Sequence, residues 1–138
     1  MRHLVRAANL ESVVEVESRG TSGYHAGDAP DERACRAGQR LNIEINGAAR
    51  QFVRADFERF DYVLAMDGDN FAHLAALAPA APGTKLFLLR HFDAAAPRDA
   101  AVPDPYYGDV AEFDEVVELC LAACHGLLEH IRREHGLA

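Results

Sequence analysis

From Phe113 to Ile131 the residues Phe113, Val116, Val117, Cys120, Leu121, Cys124, Leu127, Leu128 and Ile131 recur at helical spacing. Glu115, Glu118, Glu129, Arg132 and Arg133 take the other face, and Asp109 or Glu112 stands near the start. A helix of this length with one apolar stripe has to lie along a core, which limits what the rest of the chain can build. Ahead of it, Tyr62-Val63-Leu64-Ala65-Met66 is a continuous apolar run that reads as a buried strand, and Lys85 to Leu89 reads as the next. Between them a helix capped by Asp67 or Asp69 runs through Leu77 and is ended by the Pro79 to Pro82 stretch. Strands alternating with helices predict a three-layer α/β fold, a small parallel sheet with helices on both faces.

The front half adds to this frame. Met1 to Leu10 reads as a helix with Leu4, Val5 and Ala8 on one face. No Ser, Thr, Asp or Asn precedes it, and Arg2 brings positive charge where the helix dipole favours negative. The helix looks cut rather than begun, although a frayed terminal helix has the same appearance. Val13 to Ser18 is β-branched and partly alternating, which predicts a strand. Arg19 to Gly27 is a glycine-rich loop that opens no helix directly and lacks G-x-x-x-x-G-K. Asp28 as N-cap, with Pro30 in the first turn, predicts a helix to about Arg40. Ile43 and Ile45 precede an Asn46-Gly47 turn, and Ala55 to Phe60 reads as a short helix. Arg90 to Val102 reads as loop.

At 138 residues, 49% of them hydrophobic, the chain is long enough for one domain with a real core. A net charge of −8 argues against nucleic acid and anionic membrane surfaces as partners. No apolar run approaches the ~18–20 residues of a membrane span, and no signal-peptide pattern is seen. An odd count of 3 cysteines without framework spacing fits a reducing cytoplasm.

The chemistry-bearing stretch is Val102-Pro103-Asp104-Pro105-Tyr106-Tyr107-Gly108. Pro105 biases Asp104 away from helix, and Pro103 fixes its own φ, so the carboxylate is presented from a stiff loop. Stiffness suits a general acid, which must deliver a proton at hydrogen-bond distance, and the two tyrosines can wall a slot for a flat ring. A Pro-rich turn leading into a helix would show the same spacing. Cys35 stands five residues before Arg40, while Gly126 and His130 lie six beyond Cys120 and Cys124. Cys120 and Cys124, four apart on the apolar face, read as core. Cys124, His125 and His130 do not share a face, so no metal site is expected.

D-P-Y-Y-G resembles the general-acid loop of the low-molecular-weight protein tyrosine phosphatases. Further resemblance runs through Glu17 to Tyr24, Ala49-Arg50-Gln51, Asp56-Phe57, Phe60-Asp61-Tyr62, and Met66-Asp67 with Asn70. The resemblance implies the family's α/β fold over residues 1–138 and hydrolysis of phosphotyrosine or aryl phosphate through a phosphocysteine. It also implies Asp104 as the general acid, Tyr24, Tyr106 and Tyr107 lining the substrate slot, and Ser18 supporting the phosphate loop. No cofactor is implied. Arg19 stands where a small residue is usual, and Gly47 where some members carry a histidine.

The large departure is at the front. Family members begin with a short apolar strand running into C-x5-R-[ST], whose thiolate attacks phosphorus while loop amides and the arginine hold the phosphoryl oxygens. By resemblance this chain starts inside the family's first helix. The expectation is a truncated domain that lacks its first strand and is inactive as written, with the nucleophile encoded upstream. A non-catalytic remnant or interaction module is the alternative. Arsenate reduction on the same fold ranks last, because it needs a thiol relay that Cys120 and Cys124, packed inward, do not offer. Strands deprived of a ladder partner would leave buried backbone groups unpaired, so a marginal or self-associating chain is expected.

Overall fold

In a computed structural model, residues 1–24, 26–79 and 85–138 are described. Helix α5, Val110–His135, is the predicted C-terminal helix and the longest element. Asp109 caps it by accepting from the Glu112 amide at 3.1 Å, and Gly136 closes it in the left-handed conformation at φ +62°. Of its predicted stripe, Phe113, Val117, Cys124, Leu127, Leu128 and Ile131 are buried, and Val116, Cys120 and Leu121 are half-buried against the same core; Ala123, outside the predicted stripe, is buried as well.

Strands β1, Tyr62–Ala65, and β2, Lys85–Leu88, pair in parallel with Tyr62 opposite Lys85 and Ala65 opposite Leu88. Alternation along β1 divides the core. Tyr62 and Leu64 pack into the cluster formed by α5 with Leu4, Val5 and Leu10, whereas Val63 and Ala65 pack with Leu74 and Phe71. Those last two residues belong to α4, Gly68–Leu77, so helices cover both faces of the small sheet. Asp67 is the cap of α4, accepting from the Asn70 amide at 2.8 Å. The helix ends before Pro79, with Ala78 already extended as a pre-proline residue favours. Pro82, expected to help end α4, lies outside the described residues, as does His25 of the glycine-rich loop.

Three front-half expectations change. Helix α1 is Arg2–Ala7, shorter than Met1 to Leu10, because Asn9 turns left-handed at φ 57° and the Leu10 amide folds back onto Val5. It has no side-chain cap and no acidic first turn, and Arg2 instead donates from Nε to the Val16 carbonyl at 2.9 Å. Helix α2 is Glu32–Arg40 and is capped by Asp31, not Asp28. The reason is local: Asp31 Oδ1 accepts from the Arg33 amide at 2.8 Å, satisfying a first-turn donor that Asp28 is too far upstream to reach.

The third change concerns Val13 to Ser18: Val13 closes a turn, the Val13 and Val14 amides both donating to the Leu10 carbonyl, and among the described residues the segment joins no sheet. Its continuation, Gly20, forms an isolated parallel bridge with Gln51, donating to Arg50 O and accepting from Phe52 N at 2.7 Å each. Alternating β-branched residues favour an extended backbone, but a strand also needs a neighbour's amides and carbonyls. Between this segment and β1 lies open space. The short helix α3 is Asp56–Arg59, within the predicted Ala55 to Phe60. The expected Arg90 to Val102 loop begins with a single 3-10 turn, Leu89–Phe92, packed on α5.

Candidate active site

Parallel strands gather functional groups at their carboxyl ends, where loops follow the sheet. In this chain that end is Met66, directly after β1, and the Val102 amide donates to the Met66 carbonyl at 2.7 Å. Val102 is itself buried in the α5 core. Arg90 holds the preceding residue, with Nη1 donating to the Ala101 carbonyl at 2.8 Å. The Pro103-Asp104-Pro105 loop therefore leaves from a fixed base. Asp104 is exposed, and its Oδ1 accepts from the Tyr106 amide at 3.0 Å. The Gly108 amide closes a turn onto the Pro105 carbonyl at 2.7 Å. Tyr106 and Tyr107 stack edge to face with centroids 4.9 Å apart, and Tyr107 is 97% exposed.

The far side of this loop is held by α2. Arg33 Nη2 donates to the Tyr106 carbonyl at 2.9 Å and Nη1 to the Gly108 carbonyl at 3.3 Å. Sequence reasoning missed Arg33, as it missed Arg90 and the Met66 carbonyl. A single arginine in the first turn of a helix carries no sign of a partner more than seventy residues away.

Beside β1, on the edge away from β2, is a cavity of about 790 Å³. Its walls include the segment from Val13 to Gly20, β1 itself, and Leu74, Leu127 and Ile131 from the two core layers. Ser18 and Met66 line it, whereas Asp104, Tyr24, Tyr106 and Tyr107 are not among the described lining residues. The structure thus brings Asp104 together with Tyr106 and Tyr107 on one loop, and sets Ser18 on the cavity wall. Tyr24 is 87% exposed on the glycine-rich loop, its amide donating to Ser22 Oγ at 3.1 Å.

The departure at Arg19 has a structural role. Its Nη1 lies 2.6 Å from Glu17 and its Nε 3.8 Å from Asp56, with the guanidinium over the Phe60 ring. Arg59 reaches Glu15 at 2.5 Å and Glu17 at 3.0 Å. These ion pairs brace the segment along the cavity rim. The hydrogen bond from Arg19, with Arg59 adding its charge, holds the Glu17 carboxyl at about 2, well below the ordinary value of 4.5. Asp56, the one buried carboxylate among the described core residues, also accepts from the Val53 amide at 2.9 Å and fixes the start of α3.

Cys120 and Cys124 pack in the core along α5, and Cys35 is half-buried on α2. Cys35 Sγ donates to the Ile45 carbonyl at 3.4 Å, Cys124 is buried, and burial pushes the Cys120 thiol up to about 11. Among the described residues no group of three His, Cys, Asp or Glu side chains could hold a metal. Nor is any described helix long and apolar enough to cross a membrane.

A small parallel α/β sheet with a carboxylate-bearing loop tied to the end of its first strand is the architecture the site is built on. The sequence matches the family described as low molecular weight phosphotyrosine protein phosphatase over residues 1–137. The low molecular weight phosphotyrosine protein phosphatase 2 of Drosophila melanogaster is 42% identical over 134 residues, covering 96% of this chain and 80% of that one. The low molecular weight protein-tyrosine-phosphatase of Streptomyces coelicolor is 39% identical, covering 96% and 82%. A solved protein tyrosine phosphatase from Entamoeba histolytica superimposes with a TM-score of 0.88 at 31% identity, covering 99% of this chain and 86% of that one. The chain belongs to the low molecular weight phosphotyrosine protein phosphatase family.

Proposed function

We propose that residues 1–138 form one domain that serves the hydrolysis of phosphotyrosine and aryl phosphate monoesters through a phosphocysteine. Asp104 gives its proton to the departing phenolate oxygen as the aryl O–P bond breaks. Tyr24, Tyr106 and Tyr107 flank the ring, and Ser18 supports the loop that holds phosphate. The observation that carries this reading is the 2.7 Å bond from Val102 to Met66, which fixes the base of the Asp104 loop at the carboxyl end of β1. A proton donor held on a fixed base meets the geometric demand of general-acid catalysis.

The attacking sulfur and the phosphate-holding arginine are assigned to a C-x5-R-[ST] segment outside these 138 residues, entering as a strand beside β1. Two observations support this part of the reading. The cavity of about 790 Å³ runs along the edge of β1 away from its described ladder partner. The three cysteines present are in core or helix positions, and the Cys120 thiol is pushed up to about 11. By themselves the 138 residues then do not turn over an aryl phosphate. Free cysteines are consistent with work in a reducing cytoplasm.

The test assays this chain beside one extended upstream in its reading frame, on a chromogenic aryl phosphate. Turnover is expected only with the extension, and Asp104→Asn in the extended chain should lower it by about 10²–10⁴-fold. Turnover by the 138 residues alone would overturn the external nucleophile. An upstream frame without C-x5-R-[ST] would instead favour a non-catalytic interaction module. The open edge of β1 also supports self-association, to be read from sedimentation across concentration. A monomer with one sharp melt would contradict that part.

A further inference from the structure

We infer that Arg33 is the positioning residue of the Asp104 loop, a guanidinium clamp on the carbonyl of Tyr106 that holds this residue where its amide stays on the Asp104 carboxylate. The inference rests on the reading of Asp104 as the general acid. The geometry has three layers. Asp31 anchors the clamp, accepting from Arg33 Nε at 3.1 Å and from Nη2 at 2.9 Å, while also capping α2. The guanidinium then lies over the Phe113 ring, with Cζ 4.5 Å from its centroid, so α5 supplies a floor. Held from one edge and below, the remaining donors reach the Tyr106 carbonyl at 2.9 Å and the Gly108 carbonyl at 3.3 Å.

The consequence for Asp104 runs through one residue. Tyr106 gives its carbonyl, in the peptide to Tyr107, to Arg33 and its amide, in the peptide from Pro105, to Asp104 Oδ1 at 3.0 Å, so the two peptide planes that meet at its Cα are each held from outside. Gly108, whose carbonyl is the second point of the clamp, closes the turn onto Pro105 at 2.7 Å. The prolines on either side of Asp104 restrict the loop's own dihedrals but do not orient it relative to the rest of the molecule. Arg33 makes that connection to α2 and α5. Lysine cannot replace it. One ammonium keeps the charge beside Asp31 but has no planar fork to span two carbonyls and no flat face for Phe113.

The experiment measures amide hydrogen exchange on the 15N-labelled chain, comparing the native protein with Arg33→Lys and Arg33→Ala. The Tyr106 and Gly108 amides should exchange about tenfold to a hundredfold faster in both variants, the range one charge-assisted hydrogen bond represents. Amides in the middle of α5 should keep their rates. Unchanged Tyr106 and Gly108 exchange in Arg33→Ala, or full rescue by Arg33→Lys, would overturn the clamp. Acceleration spread equally over α2 and α5 would do so too, because it would mark a general loss of stability. None of these readouts requires turnover, so their failure is separate from failure of the Asp104→Asn assay.

Discussion

Gly126 faces the Phe92 carbonyl so closely that a Cβ built on it would come within 1.8 Å of the oxygen and 2.8 Å of the carbonyl carbon. This contact sets how near the 3-10 turn Leu89–Phe92 approaches α5, and that turn starts the segment leading to Val102 and Asp104. The obstacle is backbone, which cannot swing aside as a side chain can.

Gly126→Ala should therefore destabilise the chain by about 1–3 kcal/mol or more, despite the better helix propensity of alanine. Urea denaturation checks it. Gly68→Ala is the control, since nothing lies within 4 Å of the place its Cβ would take, and it should change stability by less than about 1 kcal/mol.

Asp109→Ala removes the side chain that accepts from the Glu112 amide at 3.1 Å at the head of α5. The expected loss is about 1 kcal/mol, with Asp109→Asn retaining most of the capping. Thermal melts of the two variants should separate in that order. Equal stability of both with the native chain would count against the cap.

Acid should weaken the brace along the cavity rim. Glu17 is held at about 2 against an ordinary 4.5, first by its hydrogen bond from Arg19. A depressed carboxyl binds protons more readily when the chain is unfolded, so its contribution is complete above about pH 5 and is lost as pH falls towards 2. The native melting temperature should fall through that window more steeply than that of Glu17→Gln. Parallel profiles would show that the ion pair with Arg19 adds nothing.

Native-state alkylation at neutral pH should leave Cys120 and Cys124 unmodified. Burial pushes Cys120 up to about 11, and Cys124 is covered by the core. Both should react once the chain is unfolded, as read by peptide mass. Rapid labelling of either in the folded chain would show that α5 opens locally.

The helix and strand placements that came directly from the residues were those with a local cause. The stripe from Phe113 to Ile131 has such a cause, and so do the caps, where the sequence offered Asp67 or Asp69 and Asp109 or Glu112 and the structure uses Asp67 and Asp109. The D-P-Y-Y-G spacing marked the loop for the same reason, because prolines restrict their own dihedrals and those of their immediate neighbours. The expected cap Asp28 gave way to Asp31, because only the fold shows which carboxylate reaches the Arg33 amide.

Sequence alone determined where the chain turns, which faces are apolar and which loop bears the exposed carboxylate, since those follow from dihedral limits and periodic burial. Tertiary structure decided that Val13 to Ser18 is no strand, because a ladder requires a neighbour that only the folded arrangement can supply or withhold. It also decided that Arg33 grips the Tyr106 and Gly108 carbonyls. Hydrogen bonds between residues far apart in the chain depend on how helices pack, and no local pattern encodes that distance.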